Sequence, residues 1–350
     1  MEFIIIFNNQ KIIFMKNQLL FITILILLSV SCSHYKGISL VEDDRYPLWL
    51  KTDSSRTDQT SGIAFIQGDS LGKHFLLVDD IGSIHLITLS ENSVDKIERV
   101  NFAPYFNEFP KLDFEEIVYD KSDGSVYLSI EGNGENSKIL AGIYKLNFKD
   151  DNILSREIIT VQKILFDPDS LFLKYLESNI AYEGLAIDQK YFYLGLENLF
   201  QNFQFVDSTV IFIASKSDFN IVKEINTKIF GITTICGLFS DSDLSLWGVD
   251  RNRRKIFHIM FDDYLNIQNY SEYDCSLQIP GYKNLNYLPS IESITFDDEN
   301  NIYTVDDPWR EMFVPPHQVL EKLDNETINN FKSYIPTIFK YKINYPEGEK

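Results

Sequence analysis

Apolar and polar positions alternate along this chain in short runs that recur with a long period. Five runs rich in β-branched and aromatic residues open on a small or acidic residue, and a second run ends on an acid 14–18 residues after each opening. The first runs open at Ser61, Glu115, Glu183, Cys236 and Glu292, and the second runs end at Asp79, Glu131, Glu197, Asp250 and Asp306. The openings are 53 to 68 residues apart. A repeat of this length, made of short strands and turns, predicts a β-propeller.

We therefore predict an all-β fold, a five-bladed β-propeller over residues 58–345, with a six-bladed ring as the alternative. Three strands can be assigned in each blade, and the turns between them are rich in Asp, Asn, Ser and Gly. Residues 163–180 and 311–335 break the pattern and predict helical or irregular insertions. The strand predicted over residues 337–343 is expected to close the ring by pairing with an N-terminal strand, which removes an exposed edge.

The beginning of the chain has the pattern of an export signal. Lys16 precedes an apolar run over residues 19–28, and the sequence Ser29-Val30-Ser31-Cys32 follows it. A basic residue, a short apolar stretch and small residues before a cleavage site are typical of a secretory signal. The apolar run is short for a membrane span. The cysteine resembles that of bacterial lipoprotein signals, and this resemblance implies that Cys32 is acylated.

These patterns predict three segments. Residues 1–31 form a cleaved signal, whose natural start is Met15, and residues 32–57 form a tether and lead-in to the propeller. We expect a protein of the cell envelope that faces the periplasm or the cell exterior and touches the membrane only through a lipid anchor. An ordinary signal peptide with a chance cysteine is the alternative.

The net charge of the chain argues against some classes of binding partner. The formal net charge of −19 argues against nucleic acid, which requires basic patches. Besides Cys32 the chain has only Cys236 and Cys275, which do not make a disulfide framework. We expect a monomer that binds a small molecule or another envelope protein.

The repeated acids are the candidate metal centre. Equivalent strand ends of a propeller meet at one central channel, where several carboxylates repel one another unless a cation or hydrogen bonds compensate them. Oxygen ligands favour calcium, with magnesium second, and the sequence shows no His or Cys cluster for zinc. The alternative is that no metal binds and the acids accept hydrogen bonds from loop amides. The candidate metal ligands are Glu115, Glu183, Glu197, Asp250, Glu292 and Asp306.

A basic segment follows the fourth of these acidic strand ends. Arg251, Arg253 and Arg254 come directly after Asp250, so guanidinium groups could bind a phosphate or carboxylate at the channel mouth. Trp309 follows the fifth strand end and is a candidate for the same mouth. A solvated loop without a ligand is the alternative.

The order of these motifs resembles the SdiA-regulated β-propeller family. The resemblance rests on the segments that open at Ser61, Phe114, Tyr182, Cys236 and Ile291, and it covers about residues 58–310. More loosely, the chain is similar to esterase-like phytase and NHL-type propellers. The resemblance implies five blades and a calcium ion near the repeated acids. It assigns the motif glutamate to Glu115, Glu183 and Glu292, and the acidic strand ends to Asp79, Glu131, Glu197, Asp250, Asp306 and Asp307.

The chain departs from the family pattern at three positions. Cys236 stands where a serine is expected, and Glu116 and Ser293 stand where glycine is usual. The sequence favours a calcium-binding scaffold of the cell envelope over an enzyme, because none of its five histidines occupies a motif position and no general base is evident. The alternative is a metal-dependent hydrolase of lactones or phosphoesters.

Overall fold

Five sheets form the body of the molecule, a five-bladed β-propeller, and their strands are antiparallel except for the short parallel pair of residues 101–102 with 157–158 in the second blade. The computed structural model describes residues 38–102, 113–132, 137–177, 179–308 and 313–345. The compact unit spans Leu40–Asn344. The prediction of five blades is confirmed, and the six-bladed alternative is wrong.

The strands follow one another in chain order. The N-terminal strands are β1 (Ser39–Glu42) and β2 (Leu48–Trp49). The first blade contains β3 (Thr60–Asp69), β4 (Gly72–Asp79), β5 (Ile84–Leu89) and β6 (Val94–Arg99). The second contains β7 (Asn101–Phe102), β8 (Phe114–Asp120), β9 (Ser125–Ile130), β10 (Gly142–Phe148) and β11 (Glu157–Lys163).

The third blade contains β12 (Tyr182–Ile187) and β13 (Tyr191–Leu196), then, after a hairpin of β14 (Leu199–Gln201) and β15 (Gln204–Val206), β16 (Val210–Ser215) and β17 (Ile221–Asn226). The fourth contains β18 (Gly237–Ser242), β19 (Ser245–Asp250), β20 (Lys255–Phe261) and β21 (Ile267–Asp274). A second hairpin, β22 (Gln278–Ile279) and β23 (Tyr282–Asn286), leads to β24 (Ile291–Phe296), β25 (Asn301–Asp306) and β26 (Thr337–Asn344) of the fifth blade.

The first strand of each blade lines the centre of the ring. Strands β3, β8, β12, β18 and β24 contact one another in this order, and β24 contacts β3 again. The fifth blade closes the ring as predicted, because β26 pairs with β25 on one side and with β1 and β2 on the other. The N-terminal and C-terminal segments therefore share one sheet.

The hydrophobic cores lie between neighbouring blades. Each of the five clusters of buried apolar side chains combines residues of two adjacent blades. Between the fourth and fifth blades, Phe239 stacks on Phe296 with ring centroids 4.8 Å apart. Trp247, which is fully buried, packs on the same Phe296 ring. This packing fixes the angle at which the strands of neighbouring blades approach the channel.

Both predicted insertions contain short helices. The helices are α1 (Ser137–Leu140), α2 (Asp169–Phe172), α3 (His317–Leu320) and α4 (Asn325–Lys332), and 3-10 turns cover Lys149–Asp151, Ile153–Ser155 and Thr227–Phe230. Helix α2 lies in the insertion over residues 163–180, and α3 and α4 lie in that over 311–335, whereas α1 and the 3-10 turns lie outside both. Phe331 of α4 packs edge-on against Trp49 and Tyr287. Within the described part of the chain, no helix has the length and apolar character that a membrane crossing requires.

Gly237 of the fourth blade lies directly against the backbone of the fifth blade. A Cβ atom there would lie 2.6 Å from the Cα of Ser293 and 2.8 Å from the carbonyl oxygen of Glu292. Since both neighbours are backbone atoms, a side chain would force the two blades apart. We expect Gly237→Ala to lower the free energy of unfolding by roughly 1–3 kcal/mol, measured by urea denaturation. Gly68→Ala is the control, because its Cβ would have only an ordinary 3.6 Å contact; equal stability of the two variants would contradict the prediction.

Candidate functional site

Strand pairing brings the motif acids together at one end of the channel. Phe114 pairs with Ile130, and Tyr182 pairs with Leu196, so Glu115 and Glu183 begin their strands beside the ends where Glu131 and Glu197 follow. The register shifts at both sites and again around Glu292. Such irregularities re-aim side chains next to the ladder. The motif glutamates are the second residues of β8, β12 and β24, where these irregularities occur.

The acids enclose a cavity of about 260 Å³. Eight of its twelve lining residues are acidic, and one is basic. The lining residues are Gln59, Ser61, Asp80, Asp113, Glu115, Glu131, Asn179, Glu183, Glu197, Arg251, Glu292 and Asp307. Four of the six predicted metal ligands, Glu115, Glu183, Glu197 and Glu292, therefore lie in one cavity.

Arg251 supplies the positive charge of this cavity. Its Nη1 donates to Glu292 Oε2 at 2.7 Å, and its Nη2 donates to Glu197 Oε1 at 2.5 Å. Glu183 Oε2 lies 4.0 Å from Nη1, beyond hydrogen-bond distance. One guanidinium thus compensates carboxylates from the third and fifth blades.

Three carboxylate oxygens of the cavity wall are buried and accept no hydrogen bond within the described structure. They are Glu131 Oε1, Glu183 Oε2 and Asp307 Oδ1. A buried carboxylate oxygen without a donor is costly, and an ion or ligand commonly satisfies it. Glu131 and Asp307 are only 4% and 3% exposed, so bulk water does not reach them freely.

Burial and mutual repulsion shift the acids toward their protonated forms. Burial, followed by the charges of Glu197, Asp113 and Asp80, raises the pKa of Glu131 to about 8. The same causes, burial first and neighbouring carboxylates second, raise the pKa values of Glu115 and Asp307 well above the usual range. These shifts show how unfavourable full ionisation of the cavity is without a counter-charge.

The structure does not bring the predicted ligands Asp250 and Asp306 into the cavity lining. Asp250 accepts hydrogen bonds from the backbone N–H and hydroxyl of Thr233. Asp306 accepts them from the backbone N–H of Thr337 and the hydroxyl of Tyr287, at 2.5 and 2.7 Å. The shorter aspartate side chains thus bind adjacent loops and join strands, while the longer glutamates at equivalent positions reach the cavity.

The predicted ligand-binding residues divide in the same way. Arg251 lines the cavity, whereas Arg253 turns outward and pairs with Glu272 at 2.9 Å. Arg254 lies in a left-handed turn with φ 53°, and its backbone N–H donates to the carbonyl of Arg251. Trp309 and the predicted lipidation site Cys32 lie outside the described residues.

Two departures from the family pattern contact each other inside the channel. The hydroxyl of Ser293 lies 2.7 and 2.8 Å from the two carboxyl oxygens of Glu116. Glu116 Oε1 also accepts from the backbone N–H groups of Ile63 and Ile117. Burial raises the pKa of Glu116 well above its usual value. This pair joins the first, second and fifth blades and fills the space next to the acidic cavity.

Cys236 lies among the acids as well. Its Sγ and one oxygen each of Glu183 and Glu292 lie within 4.8 Å of one another, and all three residues are buried. The structure thus places one thiol beside two carboxylates that are far from it along the chain.

Long connections concentrate on the acidic end of the propeller. The β14–β15 hairpin follows Glu197, and the insertion with α3 and α4 follows Asp307. At the opposite end, short turns such as 69–72 and 242–245 join the first and second strands. Functional residues are often carried on loops that a rigid scaffold positions, so the acidic end is the candidate binding face.

No family model matches the chain, and no curated protein matches it. Among solved structures, glutaminyl cyclase from Myxococcus xanthus superposes with a TM-score of 0.50 at 11% identity, over 89% of this chain and 98% of its own. A PQQ-bound aldose sugar dehydrogenase from Streptomyces coelicolor superposes with a TM-score of 0.45 at 8% identity, over 88% of this chain and 99% of its own. At such identities, the similarity to glutaminyl cyclase supports the propeller fold alone.

Proposed function

We propose that this protein is an exported, lipid-anchored β-propeller that binds calcium in its acidic cavity and acts as a binding or scaffold protein of the cell envelope. The cavity carries the proposal: eight acids surround about 260 Å³, with a single arginine among the lining residues. Calcium takes six to eight oxygen ligands in adaptable geometry, and this donor set consists of carboxylate, amide and hydroxyl oxygens.

The unpartnered oxygens indicate where the ion would be held. Arg251 already engages Glu197 and Glu292, whereas Glu131, Glu183 and Asp307 each keep a buried oxygen without a donor. We assign these three carboxylates, with Glu115, as the principal ligands of the ion. Calcium would supply the positive charge that the buried carboxylates otherwise lack.

Direct calcium binding tests the proposal. The full chain, freed of metal by a chelator and then dialysed against calcium, should retain at least one ion per molecule by elemental analysis. Glu183→Gln, which keeps the shape and removes one charge, should retain less. Asp241→Asn is the matched control, because Asp241 is exposed and lies next to the last residue of β18, at the end opposite the acidic cavity. A wild-type protein that retains no calcium would refute the proposed function.

Membership of the SdiA-regulated family is part of the proposal. The order of motifs supports it, as does the five-bladed fold that the resemblance implied. In this chain Glu116 and Ser293 stand where the family pattern has two glycines, and the two side chains are hydrogen-bonded to each other. These substitutions therefore compensate each other and leave the five-bladed arrangement intact.

The proposed lipid anchor has its own prediction. The pattern Ser29-Val30-Ser31-Cys32 leads us to expect that a fatty-acid analogue labels the wild-type protein in cells and leaves Cys32→Ala unlabelled. Fractionation should move the variant from the membrane to the soluble fraction. Equal labelling of both proteins would refute the anchor and leave calcium binding unaffected.

A metal-dependent hydrolase is the second candidate, and one observation favours it. Burial raises the pKa of Glu131 to about 8, and a group that titrates near neutrality can serve as a general base or acid. In this alternative Glu131 is not a metal ligand: the other acids of the cavity would hold the metal, which would polarise a lactone or phosphoester, and Glu131 would activate water. Calcium-dependent release of nitrophenol from model esters, lost in Glu131→Gln, would distinguish the enzyme from the scaffold.

A further inference from the structure

We propose that Cys236, Glu183 and Glu292 form a second metal position, selective for thiophilic divalent cations such as zinc and cadmium. The three donor atoms lie within 4.8 Å of one another. Zinc binds thiolate at about 2.3 Å and carboxylate oxygen at about 2.0–2.2 Å, so two donors of one tetrahedral ion stand about 3.5 Å apart. Side-chain movements of about 1 Å would therefore bring all three donors into contact with one ion.

An unpartnered side chain points to a ligand at this position. Glu183 is only 8% exposed, and its Oε2 accepts no hydrogen bond within the described structure. The oxygen is not held by Arg251, whose Nη1 lies 4.0 Å away. Cys236 is 2% exposed and contacts the hydroxyl of Thr234 through a long 3.7 Å interaction. A buried thiol and a buried free carboxylate oxygen therefore share one corner of the cavity wall.

A divalent cation offsets most of the negative charge of this corner. The thiolate and the carboxylates of Glu183, Glu292 and Glu197, the last of which also binds Arg251, carry four negative charges, and the ion and Arg251 together carry three positive charges. Binding breaks the S–H bond of Cys236 and forms a metal–sulfur bond, and the proton leaves to solvent. Three protein ligands leave a fourth coordination position for water or a ligand.

Cys236 sets the selectivity of this position. A serine, which the family pattern has here, would leave an all-oxygen site suited to hard ions. A thiolate instead favours zinc and cadmium over calcium and magnesium. The inference rests on the proposed function only through Glu183, which both metal positions use, so cadmium and calcium should compete in part.

The positively charged side chain of Arg251 already binds Glu292 and competes with a metal ion for it. Its Nη1 donates to Glu292 Oε2 at 2.7 Å, and the hydroxyl of Ser290 donates to Glu292 Oε1 at 2.5 Å, so both oxygens of this carboxylate already accept a hydrogen bond. The metal must therefore weaken one of these hydrogen bonds or take a second lone pair of one oxygen. Replacement of Arg251 by methionine should remove the competition and strengthen cadmium binding.

A cadmium titration of the metal-free full chain tests the inference through the ultraviolet thiolate-to-metal charge-transfer band. The wild type should show a saturable band, and so should the controls Cys275→Ser and Cys32→Ala, which remove the other two cysteines of the chain. Cys236→Ser should lose the band and bind cadmium at least about tenfold more weakly. Arg251→Met should reach saturation at a lower cadmium concentration than the wild type.

The outcomes separate this inference from the calcium proposal. A band that persists in Cys236→Ser, or is absent from a wild type that still binds calcium, overturns the thiophilic site and leaves the calcium site standing. Loss of the band in Cys236→Ser, with calcium retained by the variant, supports the second position. If Cys236→Ser does not fold, reaction of the native Cys236 thiol with a thiol reagent decides instead: protection by cadmium but not by calcium supports the inference, and no protection overturns it.

Discussion

Calcium should raise the temperature of unfolding of the mature protein, and a chelator should lower it. An ion that binds only the folded state stabilises it by mass action, by about 2.7 kcal/mol when free calcium is one hundred times its dissociation constant. The folded state alone brings Glu115, Glu131, Glu183 and Asp307 into one cavity, since they belong to three different blades. Thermal melts followed by circular dichroism at increasing calcium would measure the effect.

Two variants separate the cavity from the rest of the acidic surface. Glu183→Gln should reduce the calcium response of the melting temperature, because a neutral amide oxygen is a weaker ligand than a carboxylate. Asp241→Asn should melt like the wild type with and without calcium. Melts of the wild-type protein that do not change with calcium or chelator would mean that the acids serve only as hydrogen-bond acceptors. The hydrolase alternative would then lose its metal as well.

The repeat made the blade number predictable, because each blade needs an innermost pair of buried strands with its own motif. The outermost strands were not predictable from the same signal. In β6 only Val94 and Ile97 are apolar, and the residues between and after them are charged. The apolar pattern of this strand, which has one face in solvent, is therefore weak. Three strands per blade were evident in the sequence, and the structure adds the fourth.

The position of the site was predictable from the sequence, but the set of residues that line it was less so. Glu115, Glu183, Glu197 and Glu292 meet at the channel mouth because equivalent strand ends meet there. The sequence does not show which acids point inward, since that depends on side-chain length and on local register shifts. Asp250 and Asp306 lie at equivalent ends and bind loops instead.

For other residues of the site, the indication of their position in the sequence was weaker or absent. Asp80 follows the acidic strand end Asp79, so its place beside the motif was visible. The ion pairs of Arg251 with Glu197 and Glu292 join residues of three neighbouring blades, and no spacing along the chain encodes them. The contact of Glu116 with Ser293 likewise joins blades that are far apart in sequence, although both residues were already marked as departures from one pattern.

The metal-free protein should lose stability as the pH rises from about 5 to 8. Burial raises the pKa of Glu131 to about 8 in the folded state, whereas the unfolded chain ionises this residue near its ordinary value of 4.5. The folded state therefore binds more protons across this interval, and each such group lowers the free energy of unfolding by up to about 1.4 kcal/mol per pH unit. Asp79 and Asp306, whose pKa values burial raises to about 7, add to the same trend.

Calcium should reverse the trend, because the ion binds ionised carboxylates and is favoured as they lose their protons. The difference in unfolding free energy between calcium and chelator should therefore widen from pH 5 to pH 8, measured by urea denaturation at each pH. Glu131→Gln should flatten the metal-free profile, since an amide does not ionise, while Asp79 and Asp306 keep part of the slope. The same variant should show a smaller gain from calcium at pH 8. A metal-free wild type whose stability rises with pH over this interval would show that the cavity acids are ionised in the folded protein without any bound cation.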